Sequence, residues 1–428
     1  MSHLRRHCLL ITGIIITVMG WAFATAVHAE VQYQFKLLHG FNESLTDGNG
    51  PEGPVVFDHE SNLYGATFGG GANTAGTVYE LTPGSDGKWI ESILYSFCSE
   101  LPTCTDGIGP TGVIIGGAGN LYGTTTAGGI NNFGTVFELT PGANGQWTET
   151  VLYNFCSLPL CADGASPGYP PTLGPGGVLY GAAGDHVFKL MPISGGWALT
   201  TLYTFCSLPN CADGNITFGG VVLDAKGNLY GETLEGGTTD GGVVFGLHPQ
   251  VGGQWEEVVL HDFDVGDPSQ GYDDSGGVTL HDHALFGATQ AGGDSGCNEA
   301  GCGTLFELTR GAGKTTNEQV LHDFGPSGAE GVNPIETVVF DQRGDLFGVT
   351  VEGGSPTCGC GTVYGMKPQG NGKWGFAVLH SFVGSDGATP DATPTLDSKG
   401  NLYGITGTGG PGEGGVVFEL SPTTQASK

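Results

Sequence analysis

Residues 120–155 have the sequence NLYGTTTAGGINNFGTVFELTPGANGQWTETVLYNF, in which three short motifs are separated by stretches containing Gly, Pro and Asn. The first motif is Leu-Tyr-Gly at Leu121, the second is Val-Phe-Glu-Leu at Val136, and the third runs from Trp147 to Phe155. Such short segments, rich in β-branched and aromatic side chains and bounded by turn residues, predict β-strands.

The three motifs recur along the whole chain. Leu-Tyr-Gly or Leu-Phe-Gly occurs seven times, at spacings of 50 to 61 residues, starting at Leu63, Leu121, Leu179, Leu229, Leu285, Leu346 and Leu402. The second motif follows each copy of the first, and the third follows six of them, once with Thr316 in place of Trp. An apolar segment such as Val113-Ile114-Ile115 precedes Leu-Tyr-Gly. Each unit therefore has four predicted strands of five to nine residues, which we label a to d.

The missing seventh copy of strand d lies at the start of the repeat region, where Tyr33 to Phe41 has the same span. A chain that begins with the last strand of a unit can close a ring, because this strand pairs with the last unit and removes both sheet edges. We therefore predict that residues 30–422 form a seven-bladed all-β propeller of four-stranded antiparallel blades. A parallel β-helix is the alternative, but its coils are usually shorter.

Composition and charge limit the possible partners. The 428 residues include 81 Gly and 23 Pro, which argues against long helices, while 38% hydrophobic residues are enough to form a core. Lys and Arg number 13 against 43 Asp and Glu, which gives a formal net charge of −30. Nucleic acid and anionic membrane surfaces would be repelled, so we expect neither as a partner.

The first 29 residues have the features of a cleavable signal peptide. Arg5 and Arg6 form a basic start, Leu9 to Ala24 is apolar, and Ala29 precedes the expected cleavage site at Glu30. A retained membrane anchor is the alternative, although the apolar run is short for a spanning helix. We expect a mature protein that is secreted or periplasmic, monomeric and not inserted in a membrane, with residues 423–428 as a C-terminal tail.

The blocks Asn120 to Thr125, Gly134 to Pro141 and Trp147 to Phe155 resemble the GloVer tandem repeat of exported bacterial proteins, which carry varying C-terminal anchors. The similarity covers nearly all of residues 31 to 422. It implies export and a repeat domain, and it supplies no catalytic residues. Unlike the anchored members, this chain has no apolar tail after Leu420. The Asp-x-x-Gly-Asn-Leu-Tyr turn is also similar to that of NHL-type propellers, a looser match that concerns the fold only.

Strand direction alternates within a blade, so the d-a and b-c loops emerge at one end of the propeller, which we call the loop face. The short a-b and c-d turns emerge at the other end, the turn face. The loop-face segments are longer and more variable, which makes this face, at the mouth of the central channel, the expected functional surface.

Ten cysteines remain after export, in five close pairs: Cys98 and Cys104, Cys156 and Cys161, Cys206 and Cys211, Cys297 and Cys302, and Cys358 and Cys360. All five pairs fall on predicted loop-face segments. Export to an oxidising compartment favours local disulfides, with zinc binding by paired thiolates as the alternative.

An acidic residue followed by Gly recurs 15 or 16 residues before Leu-Tyr-Gly, with Gln in the fifth unit: Asp47, Asp106, Asp163, Asp213, Gln270, Glu330 and Asp386. One interpretation is a turn in which the carboxylate accepts backbone hydrogen bonds. The other is an acidic ring at the channel mouth that binds Ca²⁺ or a cationic ligand. Four strand-d histidines, His39, His261, His322 and His380, occupy positions held elsewhere by Tyr. We expect them to be structural and too far apart to share a metal.

No sequence motif for nucleophilic, metal-dependent or phosphate-binding catalysis is recognisable. The leading hypothesis is an exported binding or scaffold module for an extracytoplasmic glycan or protein partner. The alternative is a polysaccharide hydrolase or lyase with carboxylates at the channel mouth as acid and base.

Overall fold

The computed structural model describes residues 32–423 apart from 43, 45, 86, 218, 275, 294–296, 298–300 and 312–315. The predicted signal peptide, residues 1–29, and residues 424–428 of the predicted tail lie outside the described part. Within it, seven separate antiparallel sheets follow one another along the chain. The predicted seven-bladed β-propeller is confirmed.

The strands fall into blades in chain order. Blade 1 contains β2 (Gly48–Phe57), β3 (Leu63–Gly70), β4 (Thr77–Pro83) and β5 (Trp89–Ser96), and blade 2 contains β6 (Ile108–Ile115), β7 (Leu121–Ala127), β8 (Thr135–Pro141) and β9 (Trp147–Asn154). Blade 3 contains β10 (Thr172–Leu173), β11 (Leu179–Ala183), β12 (His186–Ile193) and β13 (Gly196–Thr204), and blade 4 contains β14 (Val222–Leu223), β15 (Leu229–Thr233), β16 (Val243–Pro249) and β17 (Trp255–Asp262).

Blade 5 contains β18 (Tyr272–Asp274), β19 (Thr279–His281), β20 (Ala284–Ala291), β21 (Thr304–Arg310) and β22 (Thr316–Asp323), and blade 6 contains β23 (Val332–Phe340), β24 (Leu346–Glu352), β25 (Thr362–Gly370) and β26 (Lys373–Ser381). Blade 7 contains β27 (Thr395–Leu396), β28 (Leu402–Thr406), β29 (Glu413–Thr423) and the N-terminal strand β1 (Gln32–Asn42). Short 3-10 turns occur at Ala143–Gly145, Pro159–Cys161, Pro175–Gly177, Pro209–Cys211 and Pro268–Gln270.

The ring is closed by the N-terminal strand, as predicted. Strand β1 pairs antiparallel with β29, with Phe35 opposite Leu420 and Tyr33 opposite Pro422. It therefore supplies strand d of blade 7, and both free edges of an open chain of blades are removed.

The innermost strands are shorter than the predicted five to nine residues in several blades. Strands β10, β14 and β27 contain two residues each, and strand a of blade 5 is divided into β18 and β19. Prolines and glycines explain this: Pro170 and Pro171 precede β10, and Gly219 and Gly220 precede β14. Proline lacks the amide that a ladder needs, and glycine weakens a strand.

The core lies between adjacent blades. The Phe that ends strand d packs against the aromatic residue of strand c in the next blade: the ring centroids of Phe97 and Phe137 are 5.0 Å apart, and those of Phe205 and Phe245 are 4.8 Å apart. The Gly of Leu-Tyr-Gly makes room for this ring, because a Cβ at Gly123 would lie 2.4 Å from Phe137. All three motifs thus contribute to one packing interface between adjacent blades.

Candidate functional site

Six of the seven predicted acidic-turn positions form contacts with the Tyr or His of the preceding strand d. The hydroxyls of Tyr95, Tyr153 and Tyr203 donate to Asp106, Asp163 and Asp213 at 2.7 to 2.9 Å. His39, His322 and His380 lie 3.4, 3.3 and 3.0 Å from carboxylate oxygens of Asp47, Glu330 and Asp386. The seventh position, Gln270, donates to Asp267 instead.

Two of these acids are held by dense hydrogen bonding. Asp213 is fully buried and accepts from the Ser207 hydroxyl, the backbone amides of Ser207 and Leu208, and Tyr203. Burial alone would raise the pKa of Asp213, but these hydrogen bonds outweigh it and hold the pKa below its usual range. Asp163 has the same arrangement and the same direction of shift. The contacts match the turn interpretation.

Within the described part of the chain, no two of the seven predicted positions share a group of three potential metal ligands. One such group exists, formed by His39, Asp47 and Glu91, whose ligand atoms all lie within 4.8 Å of one another. Calcium binding by an acidic ring stays a prediction that these contacts do not support.

Sequence reasoning missed a second set of acids on strand d. Glu91, Glu149, Glu257 and Glu318 each follow the first position of the third motif by two residues. Each has one carboxylate oxygen that is buried and, among the described residues, without a hydrogen-bond partner. Burial raises the pKa of Glu149 to about 8, and Asp106 and Glu100 add to the rise. Burial likewise raises the pKa values of Glu91, Glu257 and Glu318 to about 7. The recurrent Trp-x-Glu pattern in the sequence could have identified these acids.

Two inner strands contain register irregularities. The register of β2 shifts between Glu52 and Val56, and that of β23 shifts between Ile335 and Val339. Backbone segments approach closely here, because a Cβ at Gly53 would lie 2.2 Å from the carbonyl oxygen of Thr111.

Tyr169 of blade 3 lies near side chains of blades 6 and 7. Glu336 of blade 6 and Thr393 of blade 7 lie near its hydroxyl and influence its ionisation. Burial raises the pKa of Tyr169 well above its usual range, and the charge of Glu336 adds to the rise. The phenol of Tyr169 therefore stays neutral.

Two carboxyls, those of Glu52 and Asp391, lie near each other at the seam between blades 7 and 1. Burial raises the pKa of Asp391 well above its usual range, and the neighbouring charge of Glu52 raises it further. Burial also raises the pKa of Glu52. Asp391 Oδ1 is buried and has no hydrogen-bond partner among the described residues. An acid kept protonated beside a second carboxyl can donate a proton.

All five predicted cysteine pairs are disulfides in the structure. The first three lie in d-a loops and the last two in b-c loops, so all five are on the loop face. Disulfides persist in oxidising compartments, which fits an exported protein. In the described part of the chain, no helix is long and apolar enough to span a membrane.

Exposed apolar side chains are concentrated on the same face. Of thirteen large hydrophobic residues that are exposed in the described structure, nine belong to the loop face: Phe68, Leu101, Ile130, Phe133, Leu158, Leu160, Leu208, Val265 and Val383. The disulfide loops of blades 1 to 3 enclose four of them, since Leu101 lies between Cys98 and Cys104, Leu158 and Leu160 lie between Cys156 and Cys161, and Leu208 lies between Cys206 and Cys211. We call these four residues the leucine patch.

The turn face has a cleft of about 440 Å³ between the a-b turns of blades 6 and 7. Its two aspartates and its arginine already have partners. Asp341 accepts from the guanidinium of Arg343 at 2.7 Å, and Asp397 accepts from the amides of Lys399 and Asn401. The cleft is therefore built from residues that stabilise the two turns, and the loop face is the better candidate.

Residues 20–212 and 219–428 match the model of the Gloeobacter/Verrucomicrobia repeat family. The chain belongs to this family. The match covers both halves of the propeller and confirms the resemblance found in the repeated motifs. No curated protein gives a match.

Solved structures with a similar fold are distant in sequence. The extracellular domain of the putative hybrid two component system BT4673 from B. thetaiotaomicron has a TM-score of 0.55 at 12% identity, covering 93% of this chain and 41% of that domain. A fungal alcohol oxidase of the AA5 family, in complex with copper, has a TM-score of 0.53 at 13% identity, covering 92% and 76%. The protein YCF48 from Cyanidioschyzon merolae has a TM-score of 0.50 at 15% identity, covering 90% and 98%. This repeat protein thus spans about two-fifths of the BT4673 domain, and these likenesses show the fold alone.

Proposed function

We propose that this repeat protein is an exported binding module that docks a macromolecular partner through its loop face. The observation that carries the proposal is the leucine patch, in which exposed apolar side chains are held on three consecutive blades by disulfide loops. Large apolar side chains that are exposed together on one face of a protein often mark an interaction site. A disulfide fixes the loop before binding, so less conformational entropy is lost when the partner docks.

A protein partner fits this surface better than a glycan. Sugar rings are commonly bound by stacking on exposed Trp or Tyr, and every Trp and Tyr in the described structure is at least partly buried. The patch is formed by aliphatic leucines, with Phe68 and Phe133 as the exposed aromatic residues of that face. Because the chain carries a net charge of −30, complementarity favours a partner with an apolar patch surrounded by basic residues.

Export is supported by the disulfides and by the signal-like first 29 residues. The similar BT4673 structure is itself an extracellular domain, and this likeness agrees with the same location. We propose that the mature protein starts at Glu30 and acts outside the cytoplasm.

Site-specific photo-crosslinking tests the proposal. Leu160 on the loop face is 100% exposed and Val251 on the turn face is 104% exposed, so they form a matched pair. A photoreactive residue at each position, in protein exported by its native host, should give a discrete protein adduct at position 160 and none at position 251. Equal adducts at both positions, or none at 160, would contradict the proposal. A glycan array with the purified protein tests the carbohydrate alternative.

A second candidate function, a polysaccharide hydrolase or lyase, is favoured by the pair Glu52 and Asp391. A carboxyl with a strongly raised pKa beside a second carboxyl is the arrangement used for acid and base catalysis on glycosidic bonds. If this function is correct, the protein should release oligosaccharides from a polysaccharide panel, and D391N and E52Q should each abolish the release while the folded state is retained. The absence of release by the unmutated protein would reject it.

A further inference from the structure

At each of the seven junctions between adjacent blades, three equivalent positions come together, although the residues at these positions differ. Each junction joins the strand-d Tyr or His of one blade, the acidic-turn residue after it, and the residue of the next strand d that lies two positions after its Trp. In blades 1 and 2 these are Tyr95, Asp106 and Glu149. At the seam between blades 7 and 1 they are His39, Asp47 and Glu91.

The junction between blades 1 and 2 has a closed hydrogen-bond arrangement. The Tyr95 hydroxyl donates to Asp106 at 2.8 Å, and the Ser99 amide donates to the same carboxylate at 2.8 Å. A neutral phenol is a poor metal ligand, so this junction offers two carboxyls and no nitrogen donor.

At the seam junction, the imidazole of His39 occupies the position that the Tyr95 phenol occupies between blades 1 and 2. His39 Nε2 lies 3.4 Å from Asp47 Oδ1, and one ligand atom from each of His39, Asp47 and Glu91 fits within 4.8 Å. Glu91 Oε1 is buried and has no hydrogen-bond partner among the described residues. The amides of Asn42 and Gly48 donate to Asp47 and fix its carboxylate. Three potential ligands thus converge from two blades.

The other junctions each lack at least one of the three groups. His261 lies 3.9 Å from Glu318, but Gln270 replaces the turn acid. His322 and His380 have their turn acids, but aromatic rings replace the glutamate: Phe376 stacks on His322 at 3.9 Å and Phe35 stacks on His380 at 4.3 Å. Tyr153 and Tyr203 replace the histidine at the remaining two. The described repeats combine an imidazole with two carboxyls at the seam alone.

We propose that His39, Asp47 and Glu91 bind one divalent transition metal ion of the zinc class at the seam that closes the propeller. One imidazole nitrogen and two carboxylate oxygens form a donor set that suits Zn²⁺ or Co²⁺ and leaves a fourth position for water. His39 is on β1 and Glu91 is on β5, so the ion links the closing strand to blade 1. The metal would also supply the positive charge that the buried carboxylate of Glu91 lacks.

Titration of the purified, metal-free protein with Zn²⁺ in a calorimeter tests the proposal, with Co²⁺ absorption as a second readout of the ligand geometry. The unmutated protein should bind about one ion more than H39Y, and its melting temperature should rise with Zn²⁺. H39Y recreates the Tyr found at three other junctions, so the fold should be retained. E91Q should lose the same site, whereas the matched variant E149Q should bind as the unmutated protein does.

Two results would overturn the proposal. One is equal Zn²⁺ stoichiometry for the unmutated protein and H39Y, which would assign any binding to other surface histidines. The other is E149Q losing as much binding as E91Q, which would mean that the seam has no special role. If H39Y does not fold, E91Q and E149Q still give the comparison.

Discussion

The turn face and the loop face are built from the same blades but use their acidic residues differently. On the turn face, Asp58, Asp224 and Asp397 repeat one motif, in which a carboxylate accepts from the amides two and four residues later. On the loop face, the turn acids contact a Tyr or a His of strand d, depending on the blade. The disulfide loops of this face carry the leucine patch. The repeated turns form a scaffold, while the longer loop-face segments vary from blade to blade on the face where a partner would dock.

Both faces depend on one closed ring, so the largest effect should come from opening it. Deleting residues 30–41 removes most of β1 and exposes the edge of β29, which should cause aggregation or loss of cooperative unfolding. Thermal unfolding with light scattering measures this. A truncated protein that melts like the complete mature chain would show that β1 is dispensable.

Removing a loop-face acid should cost more unfolding free energy than removing a turn-face acid. Both effects should be smaller than the effect of opening the ring. D213A removes the acceptor for four donors at a fully buried position and should cost roughly 2 to 4 kcal/mol of unfolding free energy. D224A, in a half-buried turn, should cost roughly 1 to 2 kcal/mol. Chemical denaturation at pH 7 compares them.

The low pKa of Asp213 also predicts how this difference changes with pH. A lowered folded pKa contributes stability that is present above the unfolded pKa and lost as the pH falls through the folded value. The destabilisation by D213N should therefore shrink below about pH 4. Equal destabilisation by D213A and D224A would mean that the two faces use their acids alike.

Replacing a strand-d glutamate should change the unfolding free energy modestly, and this change should grow as the pH rises. Because the pKa of Glu149 is raised to about 8, the folded state holds this proton more tightly than the unfolded chain. Its contribution to stability is present at low pH and is lost as the pH rises from about 4.3 through about 8. E149Q should remove that loss and be roughly 1 to 3 kcal/mol more stable than the unmutated protein at pH 9, with little difference at pH 4. Denaturation at both pH values provides the test, and a constant difference would contradict it.

The repeated motifs predicted the blade number, the closing strand and the five disulfides, because each depends on local pattern and spacing. They did not predict the two-residue inner strands, where residues such as Pro170 and Gly220 override the apolar pattern. They also missed Tyr169, Glu336 and Asp391, since the neighbours of these residues lie more than 160 positions away in the sequence. The expectation that the four strand-d histidines do not meet one another at a metal agrees with their separate junctions. The repeat pattern predicts strand pairing within one unit, so it does not predict the contact between Glu91 of blade 1 and His39 of blade 7.

The central claim is that the loop face carries the partner site, and the dissociation constant of the partner trapped at position 160 tests it most directly. L160D places a charge in the leucine patch and should weaken binding at least about tenfold, which corresponds to about 1.4 kcal/mol. V251D changes an equally exposed side chain on the turn face and should leave the dissociation constant unchanged. Comparable weakening by both variants, or no weakening by L160D, would contradict the account.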